Sequence, residues 1–361
     1  MTAPERALAV IDSGAIERNC LRLRQLLGPD TTLCAVVKAD GYGHGAATAA
    51  RAALTGGAGW LAVATAAEAG ELRRAGVEER ILVMGALTEP ELRDAVAAGA
   101  DVVAWSPELV AAARSLGGAR LHVKLDTGMG RLGTKDTELA RSLLSPEVVG
   151  VMTHFATADE LGDDHFPAQL ERFSEFVAQV RADRPDLIAH AANSAATFRE
   201  PAAHFDMVRC GVAVYGLDPM QADPLARDLE PALSLESWVA ALRRFEPGDS
   251  AGYGRRWRAA GRTWVATVPI GYGDGWRRGL SGDCDVLIRG RRRPIVGTVS
   301  MDNVTVDAGS DPDLEVGDTV TLIGAQGPER ILAEEVARRL GTINYEITCG
   351  LSPRVRRVTV P

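Results

Sequence analysis

Lysine is nearly absent from this 361-residue chain. Only Lys38, Lys124 and Lys135 occur, and arginine supplies the rest of the 40 basic residues. A codon bias toward arginine accounts for the scarcity but not for where the remaining lysines sit. Basic charge is also in deficit. A net charge of −8 argues against nucleic acid as the main ligand. The five cysteines are dispersed, with no CxxC and no Cys/His cluster, so neither a zinc site nor a disulfide framework is expected. No window of eighteen consecutive apolar residues exists, which excludes a membrane-spanning helix. The N-terminal stretch MTAPERALAVIDSGAIERN lacks a basic segment followed by an apolar one, so a cytoplasmic protein is expected. Apolar content of 46% and charged content of 24% leave no room for a disordered or collagen-like chain.

What is present is a regular alternation. Eight short apolar runs fill the first two-thirds: Cys34–Ala39, Leu61–Thr65, Ile81–Gly85, Asp101–Trp105, Leu121–Asp126, Val148–His154, Ile188–Ser194 and Met207–Gly216. Their continuous apolar character suits strands buried on both faces of a parallel sheet. Helical segments such as Thr65–Ala75 and Pro90–Ala98 separate them, with Gly76, Gly99 and Gly117 placed as helix stops. Eight such units predict an α/β chain with an N-terminal (β/α)8 barrel over residues 1–231. A doubly wound open sheet is the rival and would use fewer strands. After Glu230 the runs Leu235–Phe245, Arg262–Ile270, Cys284–Ile288, Pro294–Val306, Asp318–Ile323 and Val355–Val360 alternate with Gly/Asp/Pro turns. They predict a mostly β domain over residues 232–361, interrupted by one helix, Ile331–Leu340.

Lys38 closes the first apolar run and opens the Gly-rich stretch Ala39-Asp40-Gly41-Tyr42-Gly43-His44-Gly45. The C-terminal end of a barrel strand is the functional face. A lysine leaving an apolar strand there is partly desolvated, which lowers its pKa and exposes a nucleophilic amine. A lysine snorkelling from a strand end is the competing reading.

The stretch from Lys38 to Gly45 resembles the cofactor-lysine motif of alanine racemases. The resemblance runs on through Lys124–Arg131, Thr153–Phe155, Ala191–Ala195, Met207–Gly211 with Tyr215-Gly216, Ala251–Gly254, Gly271–Gly275 and Ser300–Asp302. It implies an enzyme that uses pyridoxal 5'-phosphate to interconvert L- and D-alanine for cell-wall peptidoglycan, with a small amino acid as substrate. It also implies a homodimer with shared active sites. Lys38 would anchor the cofactor and act as one proton-transfer base, and Tyr253 of the partner subunit would be the second. His154 would hydrogen-bond that tyrosine, and Arg209 would face the pyridine nitrogen. Tyr42, Asn193, Ser194, Gly211 and Val212 would hold the cofactor, chiefly at its phosphate. Arg131 and Met301 would bind the substrate carboxylate, Tyr272 would border the entry, and Asp302 would orient its neighbours. Lys124 would be carbamylated and support Arg131.

Each role has a plainer competitor. Tyr253 reads equally as a turn tyrosine packed on Trp257, His154 as a packing histidine, Ser194 as a helix cap, Tyr272 as a turn residue and Lys135 as a solvated charge. Arg209 inside an apolar run is rarely a surface ion pair. The pattern Gly128-x-Gly130-x-x-Gly133 mimics a dinucleotide fingerprint in letters, but no acid follows where a ribose would need one. The chain departs from the family at Ser352-Pro353-Arg354, where a tyrosine usually stands in place of Pro353. A decarboxylase of the same architecture, a racemase of broader specificity and a non-catalytic cofactor-binding protein remain as alternatives.

Overall fold

The computed structural model describes residues 5–310 and 312–361. They form two units, one of residues 16–220 and one that joins residues up to 15 with 221–361.

The first unit is a closed barrel. Strand β1 (Leu8–Asp12) belongs to the other unit, and the barrel begins with β2 (Thr32–Val36). It continues through β3 (Trp60–Val63), β4 (Arg80–Val83), β5 (Asp101–Ala104), β6 (Arg120–Lys124), β7 (Val148–Met152), β8 (Ile188–His190) and β9 (Met207–Cys210). All pairs are parallel, and β9 closes on β2 with Arg209 opposite Cys34. Each of the eight expected apolar runs overlaps one of these strands, and several run on past it, as Met207–Gly216 does into the turn Val212–Tyr215. Helices surround them because the intervening segments carry their own start and stop signals. Thr65 caps the helix Ala66–Arg74 through a reciprocal bond with Glu68. Gly76, Gly99 and Gly117 all take positive φ just past their helices.

The second unit is a ten-stranded sheet with a small hairpin. Its strands are β10 (Leu233–Trp238), β11 (Ala241–Phe245), β12 (Ser250–Ala251), β13 (Trp257–Arg258), β14 (Thr263–Val268), β15 (Asp285–Ile288), β16 (Arg291–Val296), β17 (Val304–Gly309), β18 (Thr319–Gln326), β19 (Glu329–Ile331) and β20 (Arg356–Val360). Two expected runs are each split in two. Leu235–Phe245 breaks at Val239, whose amide bonds to Asp318. Pro294–Val306 breaks at 297–303, a loop that carries Met301. The N-terminal boundary also differs from the sequence expectation of a barrel over 1–231. Strand β1 pairs parallel with β20 and antiparallel with β10, so Leu8–Asp12 belongs to the β unit and not to the barrel. The alternating burial of Leu8–Asp12 is that of a strand covered on one face, unlike the barrel strands.

Candidate active site

The C-terminal ends of the barrel strands gather most of the residues singled out by sequence. Lys38 follows β2 and enters a left-handed turn. Ala39, Asp40, Gly41 and Tyr42 have φ of 53°, 51°, 61° and 53°. For residues other than glycine this costs roughly 1–2 kcal/mol each, and such strain gathers at functional sites. Local bonds hold the turn. The Ala39 amide donates to Glu68 Oε1 (2.7 Å), the Ala46 amide to Asp40 Oδ1 (2.8 Å) and the Gly45 amide to the Asp40 carbonyl (2.8 Å). Tyr42 is thereby turned into the barrel end, buried and stacked on Tyr215 with ring centroids 5.0 Å apart.

Tyr42 meets a polar cradle at β9. A side chain at Gly211 would place its Cβ 2.3 Å from the Tyr42 hydroxyl, so only glycine admits that phenol. The Gly211 amide donates to Ser194 Oγ at 3.0 Å and the Ala213 amide to the same oxygen at 3.4 Å. Asn193 caps the following turn by accepting from the Ala196 amide at 3.0 Å. Ser194, Gly211, Val212 and Tyr42 thus bring hydroxyls and backbone N–H groups to one spot, a donor set suited to a phosphate.

Arg209 is buried, and its two terminal nitrogens donate to four acceptors. Nη1 donates to His190 Nδ1 (2.8 Å), and Nη2 to the Thr153 carbonyl (2.8 Å), the Ala191 carbonyl (3.0 Å) and His154 Nδ1 (3.2 Å). Burial lowers its pKa to about 10, which leaves it protonated near neutrality. Burial and the cations Arg209, Arg131, Lys124 and Lys38 push the His154 imidazole well below its ordinary pKa. His154 is therefore neutral. Arginine has no acceptor, so Nδ1 of His154 is bare and its proton sits on Nε2. Burial, followed by Arg209 and Arg131, lowers the Lys124 ammonium to about 8. Asp126 is occupied elsewhere, accepting from the amides of Gly128 and Gly130 at 3.1 Å. These mutual influences place Lys38, Lys124, Arg131, His154 and Arg209 in one electrostatic field. Lys135 is exposed.

The β unit carries the others on adjoining loops. Tyr253 opens a short turn between Gly252 and Gly254 and is 73% exposed. It borders a cleft of about 340 Å³ with Thr298, Ser300 and Asn303. Tyr272 and Met301 are exposed and tied together through backbone bonds, Tyr272 N–H to Ser300 O (3.0 Å) and Gly273 N–H to Met301 O (2.9 Å). Asp302 accepts from Arg354 at 2.6 Å, and Arg354 also lies 3.4 Å from the buried Asp274, which Arg6 engages with two nitrogens.

Sequence reasoning missed the supports beneath Arg209. His190, His122 and Asp101 are ionisable residues inside apolar runs, a signal that was available at each position but gave no hint of their mutual contact. It also missed Asp274 and Arg354.

A barrel whose strand ends combine a lysine, a buried arginine and an anion cradle, followed by a β unit, defines a class of two-unit barrel enzymes. Residues 11–219 match the alanine racemase N-terminal domain and residues 232–359 the alanine racemase C-terminal domain. The alanine racemase of Symbiobacterium thermophilum is 44% identical over 97% of this chain and 96% of its own length. That of Geobacillus stearothermophilus is 43% identical over 97% and 92%. The crystal structure of the E. faecalis alanine racemase superposes with a TM-score of 0.92 at 37% identity, covering 99% of this chain and 98% of the other. The chain belongs to the alanine racemase family, and it is an isomerase.

Proposed function

We propose that this chain racemises alanine with pyridoxal 5'-phosphate through two bases, Lys38 and Tyr253 of the partner subunit. The observation that carries the reading is the barrel end itself, where Lys38, Arg209 and the cradle of Tyr42, Ser194, Gly211 and Val212 converge. The residues present fit the cofactor: the cradle offers donors without side-chain bulk, and Arg209 offers a permanent donor for a ring nitrogen. When bound, the cofactor supplies an electron sink that acidifies the Cα–H of the amino acid.

The chain's own residues do the rest. Lys38 anchors the cofactor, and its Nζ takes or returns the Cα proton on one face. Tyr253 Oη of the partner subunit does the same on the other face, so one proton leaves and one arrives per turnover. A phenol needs help to act near neutrality. His154 supplies it by presenting Nε2–H as a donor to the phenolate, since Arg209 occupies its other nitrogen. With the cofactor bound, Arg209 would face its ring nitrogen and, staying protonated, would donate to it without surrendering the proton, which would limit side reactions. Arg131 and the Met301 N–H hold the substrate carboxylate, with Asp302 as an orienting neighbour, and Tyr272 borders the entry. Lys124 supports Arg131 as a carbamate, formed when its neutral amine attacks carbon dioxide and releases a proton. A pKa of about 8 leaves roughly one amine in ten neutral at pH 7, against one in thousands for an ordinary lysine. The product D-alanine serves peptidoglycan assembly in the cytoplasm. Among the described residues no helix is long and apolar enough to cross a membrane.

Purified protein in deuterated water with L-alanine should lose optical rotation while gaining Cα deuterium. Absence of both overturns the reading, and release of carbon dioxide would point to a decarboxylase. Lys38→Ala should remove both the absorbance of the bound cofactor and turnover.

A further inference from the structure

A chain of buried side chains runs through the barrel from Arg209 to the opposite end. Arg209 Nη1 lies 2.8 Å from His190 Nδ1, His190 Nε2 lies 2.8 Å from His122 Nδ1, and His122 Nε2 lies 3.1 Å from Asp101 Oδ2. All four residues are buried, none more than 3% exposed. Arg209 stands near the end of β9, whereas Asp101 opens β5, so the chain links the two faces of the barrel.

Its hydrogen-bond direction is forced at both ends. Arginine only donates and an ionised carboxylate only accepts. His190 must therefore take the Arg209 proton on a bare Nδ1 and carry its own hydrogen on Nε2. His122 must accept on Nδ1 and donate from Nε2 to Asp101. Every bond points away from Arg209. Neutral rings are required, and burial lowers the pKa of His122 and pushes that of His190 well down. The far end is an anchored anion. Arg120 Nε donates to Asp101 at 2.7 Å and Arg80 engages the other oxygen. Arg80 is itself laid over the Trp60 ring at 3.9 Å. The barrel wall is cut to admit the chain: a Cβ on Gly150, which faces His122 across β6 and β7, would lie 2.3 Å from His122 Nδ1.

We propose that Asp101 and His122 are positioning residues that act through His190 to fix the donor direction at Arg209. By keeping His190 Nδ1 bare, they leave Nη1 of Arg209 one place to donate and lock the plane of the guanidinium. The same arginine sets the tautomer of His154, so the anchor at one barrel end governs donor geometry at the other. The inference rests on the proposed role of Arg209 for its link to turnover, but the direction of the chain is testable without it.

The chain has six histidines, so histidine-selective 15N labelling with single substitutions assigns each ring. In the holoenzyme, His122 and His190 should both show a bare Nδ1 and a protonated Nε2 throughout pH 6–8. Asp101→Asn replaces the anchored acceptor with an amide that can donate. It should invert or mix both tautomers, set a His190 N–H against Arg209 and lower kcat roughly tenfold or more, with KM changed less. His122→Gln preserves direction, because its oxygen accepts from His190 while its amide donates to Asp101. It should restore turnover to within a few-fold of wild type, whereas His122→Leu should not. A His190 proton on Nδ1 in the wild type, or Asp101→Asn leaving the His190 ring and kcat unchanged, overturns the proposal. Correct tautomers in a protein that does not racemise alanine would instead count against the function proposed above.

Discussion

Arg209 Nη2 lies 3.2 Å from Nδ1 of His154, and this contact decides what His154 can do. An arginine donor on Nδ1 leaves the histidine a donor on its far side, and burial beside four cations keeps the ring neutral. Arg209→Lys retains the charge but offers a single nitrogen to four acceptors. Activity should fall roughly 10- to 100-fold. The loss should include a shift in the basic limb of the pH–rate profile, because the histidine tautomer is then unfixed. A profile identical to wild type would separate Arg209 from His154 function.

The same histidines set a pH dependence of stability. His122, His154 and His190 all have folded-state pKa values below the unfolded value, which is about 6.5. The unfolded chain therefore binds more protons than the folded one as pH falls, and stability drops below about pH 6.5 with a slope of up to three protons. The midpoint of denaturant unfolding should decline from pH 7 to pH 5 and the decline should lessen in His122→Gln. A flat midpoint across that range would mean these rings are not held neutral.

Shared sites are tested by complementation. Lys38→Ala and Tyr253→Phe chains should each be inactive alone, and the two are then co-expressed. A mixed dimer with sites built across subunits has one site carrying both changes and one carrying neither. With random pairing, half the dimers are mixed, and activity should recover to about a quarter of wild type. No recovery in verified mixed dimers would place both bases within one subunit.

Legibility in the sequence follows burial. The barrel strands could be read directly because both faces are covered, which makes each strand a continuous apolar run. Loop 297–303 was absorbed into a strand because the buried Val299 continues the apolar pattern. Lys38 stood out locally, as a rare lysine closing an apolar run before a Gly-rich stretch, whereas Tyr253 and Tyr272 read as turn residues until the family resemblance singled them out. The chain beneath Arg209 left none. Its partners are 19, 68 and 21 residues apart, and barrel closure alone brings them together. Strand β1 was missed because its partners, β10 and β20, lie far away in sequence, beyond the whole barrel.

Gly150 is a strand glycine with a packing reason. Gly150→Ala would set a methyl carbon 2.3 Å from His122 Nδ1 and 2.8 Å from the Ile188 carbonyl, so a ring or a backbone must move. Overpacking of this kind costs roughly 1–3 kcal/mol. Thermal unfolding should shift down by several degrees, and the 15N signal of the His122 ring should shift with it. An alanine accommodated without change in either would mean that the β6–β7 wall is loose.

Pro353 stands where the family pattern has a phenol, and it has no hydrogen to donate. Its neighbour Arg354 already joins Asp302 to the buried Asp274, so the Met301 loop has a tether that does not need the tyrosine. On the proposed function the missing group would be one donor for the cofactor phosphate or one restraint on Tyr253, and not the loop's support. A neutral hydrogen bond contributes about 0.5–1.5 kcal/mol. Pro353→Tyr should therefore tighten cofactor binding by roughly 2- to 10-fold, read by titrating cofactor absorbance into the cofactor-free protein, and should narrow the range of accepted amino acids toward alanine. If affinity and substrate range both stay put, another group fills the place of the phenol, and Arg354 is the first residue to replace in the search for it.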